Sequence, residues 1–330
     1  NTQPLASSPY RLIAFYGALA VLVLADMMPV NKRFFSNDNF MKAKDADAYF
    51  AMQPYEQQIL QDKSYYRVLN LASNTFNDAR TSYRLNSIGG YHAAKLRRYQ
   101  DLIEEHISQE MDPLMQTAMR TKGFMLPDAN EGKDFPVLNM LNMKYAIVPL
   151  QGGKQTAIMN PYAMGNCWFV DEVKFVDTPD EECAALDQIN LHKQAVADKK
   201  FATVLDITKP EVTPLMAYDT ALIQLTSYAP NCLKYTSINE RNQVAVFSEI
   251  YYPHDWHLYI VNANGEKVEL PLARVNYTLR AAVIPAGHHQ LVMEFRPHAL
   301  QTDKWSMAIL ILALLLSLGG LTYPLWRKKK

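Results

Sequence analysis

The chain has 330 residues, enough for one large domain or two ordinary ones, and its 33 basic and 33 acidic residues cancel to a formal net charge of zero, so composition makes no case for a nucleic-acid binder. Glycine is sparse at 12 residues, and neither G-x-G-x-x-G nor G-x-x-x-x-G-K-[ST] occurs, which argues against either familiar nucleotide-binding loop. Cys167, Cys183 and Cys232 form no C-x-x-C pair, against a zinc ribbon or thioredoxin-type site. One pair of them could bridge in an oxidising compartment, and the sequence does not choose which. Tyrosine is abundant at 19; its apolar face and hydroxyl suit sugar or interface contact, and equally ordinary β-structure.

The N-terminal run Leu12 to Val30, "LIAFYGALAVLVLADMMPV", is apolar apart from Asp26. A secretory signal peptide competes with a transmembrane helix here. Only Arg11 precedes the apolar stretch, and Ala-Asp-Met-Met-Pro is a poor cleavage site, so residues 1–33 are read as a transmembrane helix with its flank. Lys32 and Arg33 argue mildly for the opposite orientation to the one adopted below.

Residues 34–214 read as an α/β module. Asp45 to Asp62 predicts a helix broken near Pro54; Tyr65 to Leu71, "YYRVLNL", predicts a strand. The Asn-rich segment "ASNTFNDARTSYRLNSIGG" is loop-like and closes on Gly89-Gly90. "YHAAKLRRYQDLIEEHIS", Tyr91 to Ser108, predicts a helix with Leu96, Tyr99, Ile103 and Ile107 as its apolar stripe. "FPVLNMLNMKYAIVPL" predicts a short helix running into a strand from Lys144 to Leu150. "CWFVDEVKFV" predicts a strand or hairpin arm, "DEECAALDQIN" a helix and "FATVLDI" a strand. This alternation is the signature of an α/β or α+β module.

Residues 215–302 differ, with short alternating runs separated by Asn, Pro and Gly. "NANG", Asn262 to Gly265, is a hairpin turn, since Asn-Gly accepts positive φ, and "IPAGHH" is a second turn. Such spacing predicts an antiparallel β-sandwich. Residues 303–330 close the chain. From Ser306 to Leu325 there is no charge, Trp305 and the Tyr323/Trp326 pair stand at the ends, and Arg327, Lys328, Lys329 and Lys330 follow. About 20 apolar residues span a bilayer as a helix, and a basic flank stays cytoplasmic. The expected fold class is therefore α+β: an extracytoplasmic α/β module and a β-sandwich flanked by two transmembrane helices in a bacterial inner membrane, with the C-terminus in the cytoplasm.

"YRVLNL", "SNTFNDARTSYRLNSIGGYHAAKLRRYQDLI", "LNMLNMKYAIV", "NPYAMGNCWFV" and "SEIYYPHDWHLYI…ARVNYTLRAAVIPAGHHQLVMEFRP" resemble the C-terminal third of YfhO-type bacterial membrane proteins, over most of the chain from Leu12 onward. That family is similar to C-type glycosyltransferases. The resemblance implies polyprenyl-phosphate sugar donors, an envelope glycan as acceptor and the lipid bilayer as partners. In such enzymes the catalytic carboxylate lies in an early extracytoplasmic loop, and no residue here matches that position; Asp26 lies in the wrong helix. The expectation is that the catalytic base and lipid-binding helices lie upstream of Asn1, which leaves a non-catalytic glycan-binding or assembly module as the alternative.

Three constellations could carry chemistry. On the predicted helix, Tyr91, Lys95 and Arg98 fall at i, i+4 and i+7 and share a face; Tyr91 could stack on a sugar while Lys95 and Arg98 meet phosphate oxygens. Gly89-Gly90 would let backbone N–H groups reach an anion at the helix start, with His92 at the same end. The competing reading is a solvated basic face. In "NTFNDAR", Asn77 and Arg80 suit sugar hydroxyls, though Asn and Asp also build turns. In "YYPHDWHLY", Trp256 resembles a carbohydrate platform or a core residue. His254 and His257 are poorly spaced for a metal on a strand. The catalytic residue stays unassigned, and no cofactor or metal is expected.

Overall fold

The computed structural model describes residues 9–120, 124–126, 135–208, 221–297 and 304–317. The chain is mixed α+β and divides into two compact units, Asn1–Gln53 and Pro54–Lys330. The first is led by α1 (Pro9–Phe34), with Lys32 and Arg33 in its last turn, where cations suit the negative end of the helix dipole. From Ile13 to Val30 the only charge is Asp26. At 26 residues the helix is about 39 Å long, against about 30 Å of bilayer hydrocarbon. Among the described residues, α1 is the one helix long and apolar enough to cross a membrane, by length and composition. A short α2 (Ala43–Tyr49) completes this unit.

The second unit opens on α3 (Pro54–Ile59), with proline at the first helical position, where its missing N–H costs nothing. The break expected near Pro54 is thus present. Strand β1 (Arg67–Asn70) pairs in parallel with β2 (Met143–Pro149). A parallel pair needs a long crossover. Here it carries α4 (Arg97–Leu102), a π-helical turn (Ile103–Ile107), α5 (Ser108–Arg120) and α6 (Pro136–Met140). β3 (Gln155–Met159) returns antiparallel to β2 through a turn in which Gly152 and Gly153 hold φ of 76° and 74°. The expected helix-to-strand passage at 135–150 is present.

β4 (Cys167–Val170) leads to β5 (Glu172–Val176), which pairs in parallel with β6 (Gln194–Asp198) across α7 (Pro179–Ala184). Thr178 and Glu181 form a capping box that starts α7, as "DEECAALDQIN" suggested. The remaining strands are β7 (Leu222–Ala229), β8 (Cys232–Asn239), β9 (Gln243–Ile250), β10 (Trp256–Val261), β11 (Lys267–Leu270), β12 (Ala273–Val275), β13 (Leu279–Ile284) and β14 (Gly287–Phe295). They build a five-stranded sheet, β11-β10-β14-β8-β7, and a four-stranded sheet, β12-β13-β9-β4. All pairings within both are antiparallel. β4 comes from the segment assigned by sequence to 34–214, so the four-stranded sheet draws on chain from both sides of residue 214. One buried cluster takes Ala245, Phe247 and Ala282 from one sheet and Tyr235, Leu258 and Leu291 from the other. Each large side chain so buried contributes about 1.5–3 kcal/mol.

The Asn262–Gly265 turn joins β10 to β11, with Gly265 at φ 80° and its N–H donating to the Asn262 carbonyl at 2.8 Å. Near the C-terminus, residues 304–317 form an apolar helix, Lys304–Ser317. The rest of the expected second span, with Tyr323, Trp326 and Arg327 to Lys330, lies outside the described residues. The three cysteines are unpaired.

Two expected elements are corrected. The helix expected from Tyr91 starts only at Arg97. Leu96 is extended (φ −61°, ψ 133°), and its carbonyl receives the first helical N–H groups, from Tyr99 and Gln100. Gly90, at φ 111°, donates its N–H to the Thr75 carbonyl at 2.7 Å, and the Ala94 N–H turns back onto His92 Nδ1. Those tertiary and local bonds override helix propensity over 91–96. The strand expected at "FATVLDI" is instead coiled. Asp198 accepts the Lys200 N–H and caps a 3₁₀ turn at Lys199–Phe201. Phe201, Val204 and Leu205 then pack on the core at i, i+3 and i+4, a helical rather than a strand spacing.

Gly89 fixes the loop that precedes this region. A Cβ there would stand 2.0 Å from the Thr75 carbonyl oxygen, so Gly89→Ala should lower unfolding free energy by about 1–3 kcal/mol, whereas Gly265→Ala meets open space and carries only its left-handed backbone penalty, about 1 kcal/mol; chemical denaturation ranks the two. Asp62 provides a pH test. Burial opposes its ionisation, but Lys144, Ser64 and Tyr145 together hold its carboxyl below the ordinary value of 3.8. A depressed folded-state pKa stabilises above the unfolded value and is lost as pH falls. Asp62→Asn should therefore cost about 1–3 kcal/mol at pH 7 and progressively less below pH 4 in urea titrations run across that range.

Candidate functional site

The loop tethered at Gly89-Gly90 and the start of α4 enclose a cleft of about 540 Å³. Its floor is apolar: Ile88, Ile103, Leu141 and Ile250. Its polar wall carries Arg67, His92 and Lys95, and Tyr91, Phe76 and Tyr99 supply ring surface. Among its lining residues there is no Asp or Glu.

Each basic group is held differently. Arg67, on β1, is a fixed cation: Nη1 donates to the Leu141 carbonyl at 2.9 Å and to Ser248 Oγ at 3.0 Å, and Nη2 lies 3.4 Å from Glu249. Burial works against its charge, while Glu249 and nearby tyrosines favour it, and the balance raises its pKa. Lys95 is half-buried, donates to Gln100 Oε1 at 3.2 Å and sits 5.6 Å from the Phe76 ring centre, a cation–π separation. His92 is exposed, and its Nδ1 accepts the Ala94 N–H, which leaves Nε2 free to carry a proton outward. Tyr99 donates its hydroxyl to the Ile88 carbonyl at 2.8 Å; desolvation pushes its pKa up to about 12 against the pull of Arg67, so it stays a neutral donor.

The structure thus brings Tyr91, His92 and Lys95 together, although not by the expected helix face. Because α4 begins at Arg97, Tyr91 and Lys95 sit on the preceding turn, and Gly89-Gly90 is not a helix N-terminus. Arg98 does not join them. It lies beyond the wall formed by Leu96, Tyr99 and Ile250 and lines a second cleft. Asn77 is exposed in a turn, its side-chain amide 3.2 Å from Asn74 Oδ1. Arg80 turns to the Tyr55 hydroxyl at 3.4 Å and lines a separate cavity of about 20 Å³. Trp256 packs on the core of the two antiparallel sheets, with Arg280 stacked 3.9 Å over its ring and Phe295 at 5.3 Å. Its platform face is thereby occupied. His257 pairs with Glu269 at 2.7 Å, apart from His254, which meets the Tyr252 ring.

Arg67, Phe76 and Leu141 complete the cleft without having been anticipated. The one sequence signal for Arg67 was a charge inside the apolar strand "YYRVLNL". Among the described residues, no group of three or more His, Cys, Asp or Glu is arranged to hold a metal ion. In chemical terms the cleft offers three cationic or hydrogen-bonding groups over an apolar floor, a setting for an anion joined to a ring or chain. Comparison with protein-family models, curated proteins and solved structures returned no match.

Structural and binding roles separate by substitution. Arg67→Ala would leave half-buried Glu249 without its paired cation and remove the bonds to the Leu141 carbonyl and Ser248, and should cost about 2–3 kcal/mol. Lys95→Ala should change stability by about 0.5 kcal/mol or less. Urea denaturation of both variants measures the difference.

Proposed function

We propose that this chain is the C-terminal region of a YfhO-like envelope glycosyltransferase, and that the first cleft holds the phosphate-linked sugar of a polyprenyl-phosphate donor. The observation that carries this reading is the cleft itself: Lys95, His92 and Arg67 face a space whose lining has no carboxylate. Phosphate oxygens suit a mobile ammonium and a fixed guanidinium, and a sugar ring suits Tyr91, 67 % exposed at the rim. On this reading α1 and the C-terminal apolar segment are membrane helices, the large unit lies outside the cytoplasm, and the two antiparallel sheets form a sandwich beneath the cleft. The catalytic carboxylate belongs to a part of the protein upstream of this chain.

The same lack of a lining carboxylate favours a second reading, a membrane-anchored module that binds an envelope glycan without turning it over. General acid–base chemistry needs a titratable group within hydrogen-bond reach of the reacting atom. Purified protein in detergent, incubated with a labelled polyprenyl-phosphate sugar, distinguishes the two. Transfer or hydrolysis supports the enzyme, and saturable binding without turnover supports the module. In either case Lys95→Ala should weaken binding about tenfold; unchanged affinity would remove the cleft from the account. The topology has its own check, because protease added to intact spheroplasts should cleave the large unit, and protection of that unit would contradict the outward placement.

A further inference from the structure

The second cleft, about 680 Å³, is built differently from the first. Its wall is the junction of α4, the 3₁₀ turn after β6, the loop after β9 and the β12–β13 turn. Two guanidiniums meet one carboxylate there. Glu182, fully buried, takes Arg274 Nη2 at 2.6 Å, the Tyr277 N–H at 3.1 Å and Arg98 Nη1 at 3.8 Å. Each guanidinium lies over a ring, Arg98 over Tyr277 at 4.6 Å and Arg274 over Phe201 at 5.5 Å. Of the neighbouring cations, Arg97 pairs with Asp101 at 2.8 Å, while Asp198 is shared by Lys200 at 2.9 Å and Arg274 at 3.9 Å. One positive charge is left over in the wall.

Buried polar atoms that make no hydrogen bond gather at the same place. Arg98 Nη1, Arg274 Nε and Thr278 Oγ1 are buried and make no hydrogen bond, and all three residues line this cleft. Buried donors are nearly always satisfied, so unsatisfied ones concentrated in one wall mark a place where something else completes the bonding. Tyr277 adds a strained backbone, at φ 67°. For a bulky residue that conformation is uncommon, and such strain clusters at ligand sites. Tyr252, 43 % exposed, offers a ring face at the opening, and no Asp or Glu lines the cavity.

We propose that this second cleft binds an acidic sugar: a pyranose ring resting on Tyr252, its carboxylate or phosphate directed to Arg98 and Arg274. Guanidinium forks match both anions in a bidentate manner, and the aromatic wall matches the C–H face of a sugar ring. The cavity volume falls within the range of small-molecule sites. The site does not rest on the transferase reading and would serve either an enzyme or a binding module.

The test is calorimetric titration of the full chain in detergent with glucuronate, glucose 6-phosphate, glucose and inorganic phosphate. Saturable binding of either acidic sugar is expected, with glucose and phosphate each at least about tenfold weaker, and the stronger of the two acidic sugars identifies the anion. Arg98→Gln should lose about tenfold or more in affinity. Tyr252→Ala, at the exposed rim, should lose several-fold with the melting temperature unchanged, and both losses should persist in the Lys95→Ala background, where sugar-phosphate binding at the first cleft is weakened. The proposal is overturned if glucose binds as well as the acids, if phosphate alone binds as well as glucose 6-phosphate, if neither acid binds, or if Arg98→Gln and Tyr252→Ala both keep wild-type affinity. Failure of Lys95→Ala to affect the polyprenyl donor would bear on the first cleft alone.

Discussion

The three-residue turn between β12 and β13 holds the larger unit together. Asn276 donates its N–H to the Val196 carbonyl at 2.7 Å and accepts the Val196 N–H on Oδ1 at 3.0 Å, so one side chain and its own backbone extend the pairing of β6. Tyr277, next in line, donates its N–H to buried Glu182 on α7 and its hydroxyl to Asp101 on α4 at 3.0 Å. Four-stranded sheet, parallel strand pair and crossover helices meet at this point. Both turn residues hold positive φ, 49° and 67°, which costs about 1–2 kcal/mol for each. The two hydrogen bonds to carboxylates, one of them buried, are worth about 1.5–3 kcal/mol each and offset that strain. The second cleft lies beside this turn, which lines it with Tyr277 and Thr278.

A common charge arrangement runs behind both clefts. Glu182 serves Arg98 and Arg274; Glu249 serves Arg67 and also attracts Arg280, whose pKa burial draws down to about 10. Buried charges persist only when paired and hydrogen-bonded, and here each carboxylate stabilises two guanidiniums while leaving an excess of positive charge. That excess is fixed in regular elements: Arg67 on β1, Arg98 on α4, Arg274 on β12 and Arg280 on β13. It therefore needs no rearrangement to meet an anion, the condition under which electrostatic recognition loses least to ordering.

Sequence patterns revealed the parts governed by local chemistry. Pro54, the helix in "DEECAALDQIN", the Asn262–Gly265 turn and the alternation of the last strands act within a few residues, and each was legible. The parts set by distant contacts were not. Residues 91–96 have helix-forming composition, but the Thr75 carbonyl claims the Gly90 N–H and the helix starts later. "FATVLDI" has a strand's composition, yet its apolar residues face the core at helical spacing. The crossover that pairs β1 with β2, and the return of β4 to a sheet formed mostly by chain 70 or more residues later, have no local signature. The site followed the same rule. Tyr91, His92 and Lys95 are close in sequence and were identified together; Arg67, Arg274 and Tyr277 are brought in by topology. Trp256, chosen for its chemistry, proved to be covered by Arg280, a neighbour that only the strand register supplies.

Among the described residues, no acid of the larger unit lines either cleft. A glycosyl-transfer base must touch the reacting hydroxyl. Glu182 and Glu249 are each committed to guanidinium partners. Among the described residues, Glu110 is the carboxyl most perturbed towards a proton donor, since burial pushes it up to about 8 against two backbone donors. Those donors, the N–H groups of Val137 and Leu138 at 2.8 Å each, make it the cap of α6, and it lines neither cleft. Geometry therefore excludes it from both sites before its pKa matters. On the proposed reading, what the clefts offer is retention of an anionic ring. On the proposed topology that retention need not be tight: tethering at a membrane surface raises the effective concentration of a membrane-linked glycan towards the millimolar range, so a site with one uncompensated charge and a few ring contacts would be occupied at affinities too weak to matter in free solution.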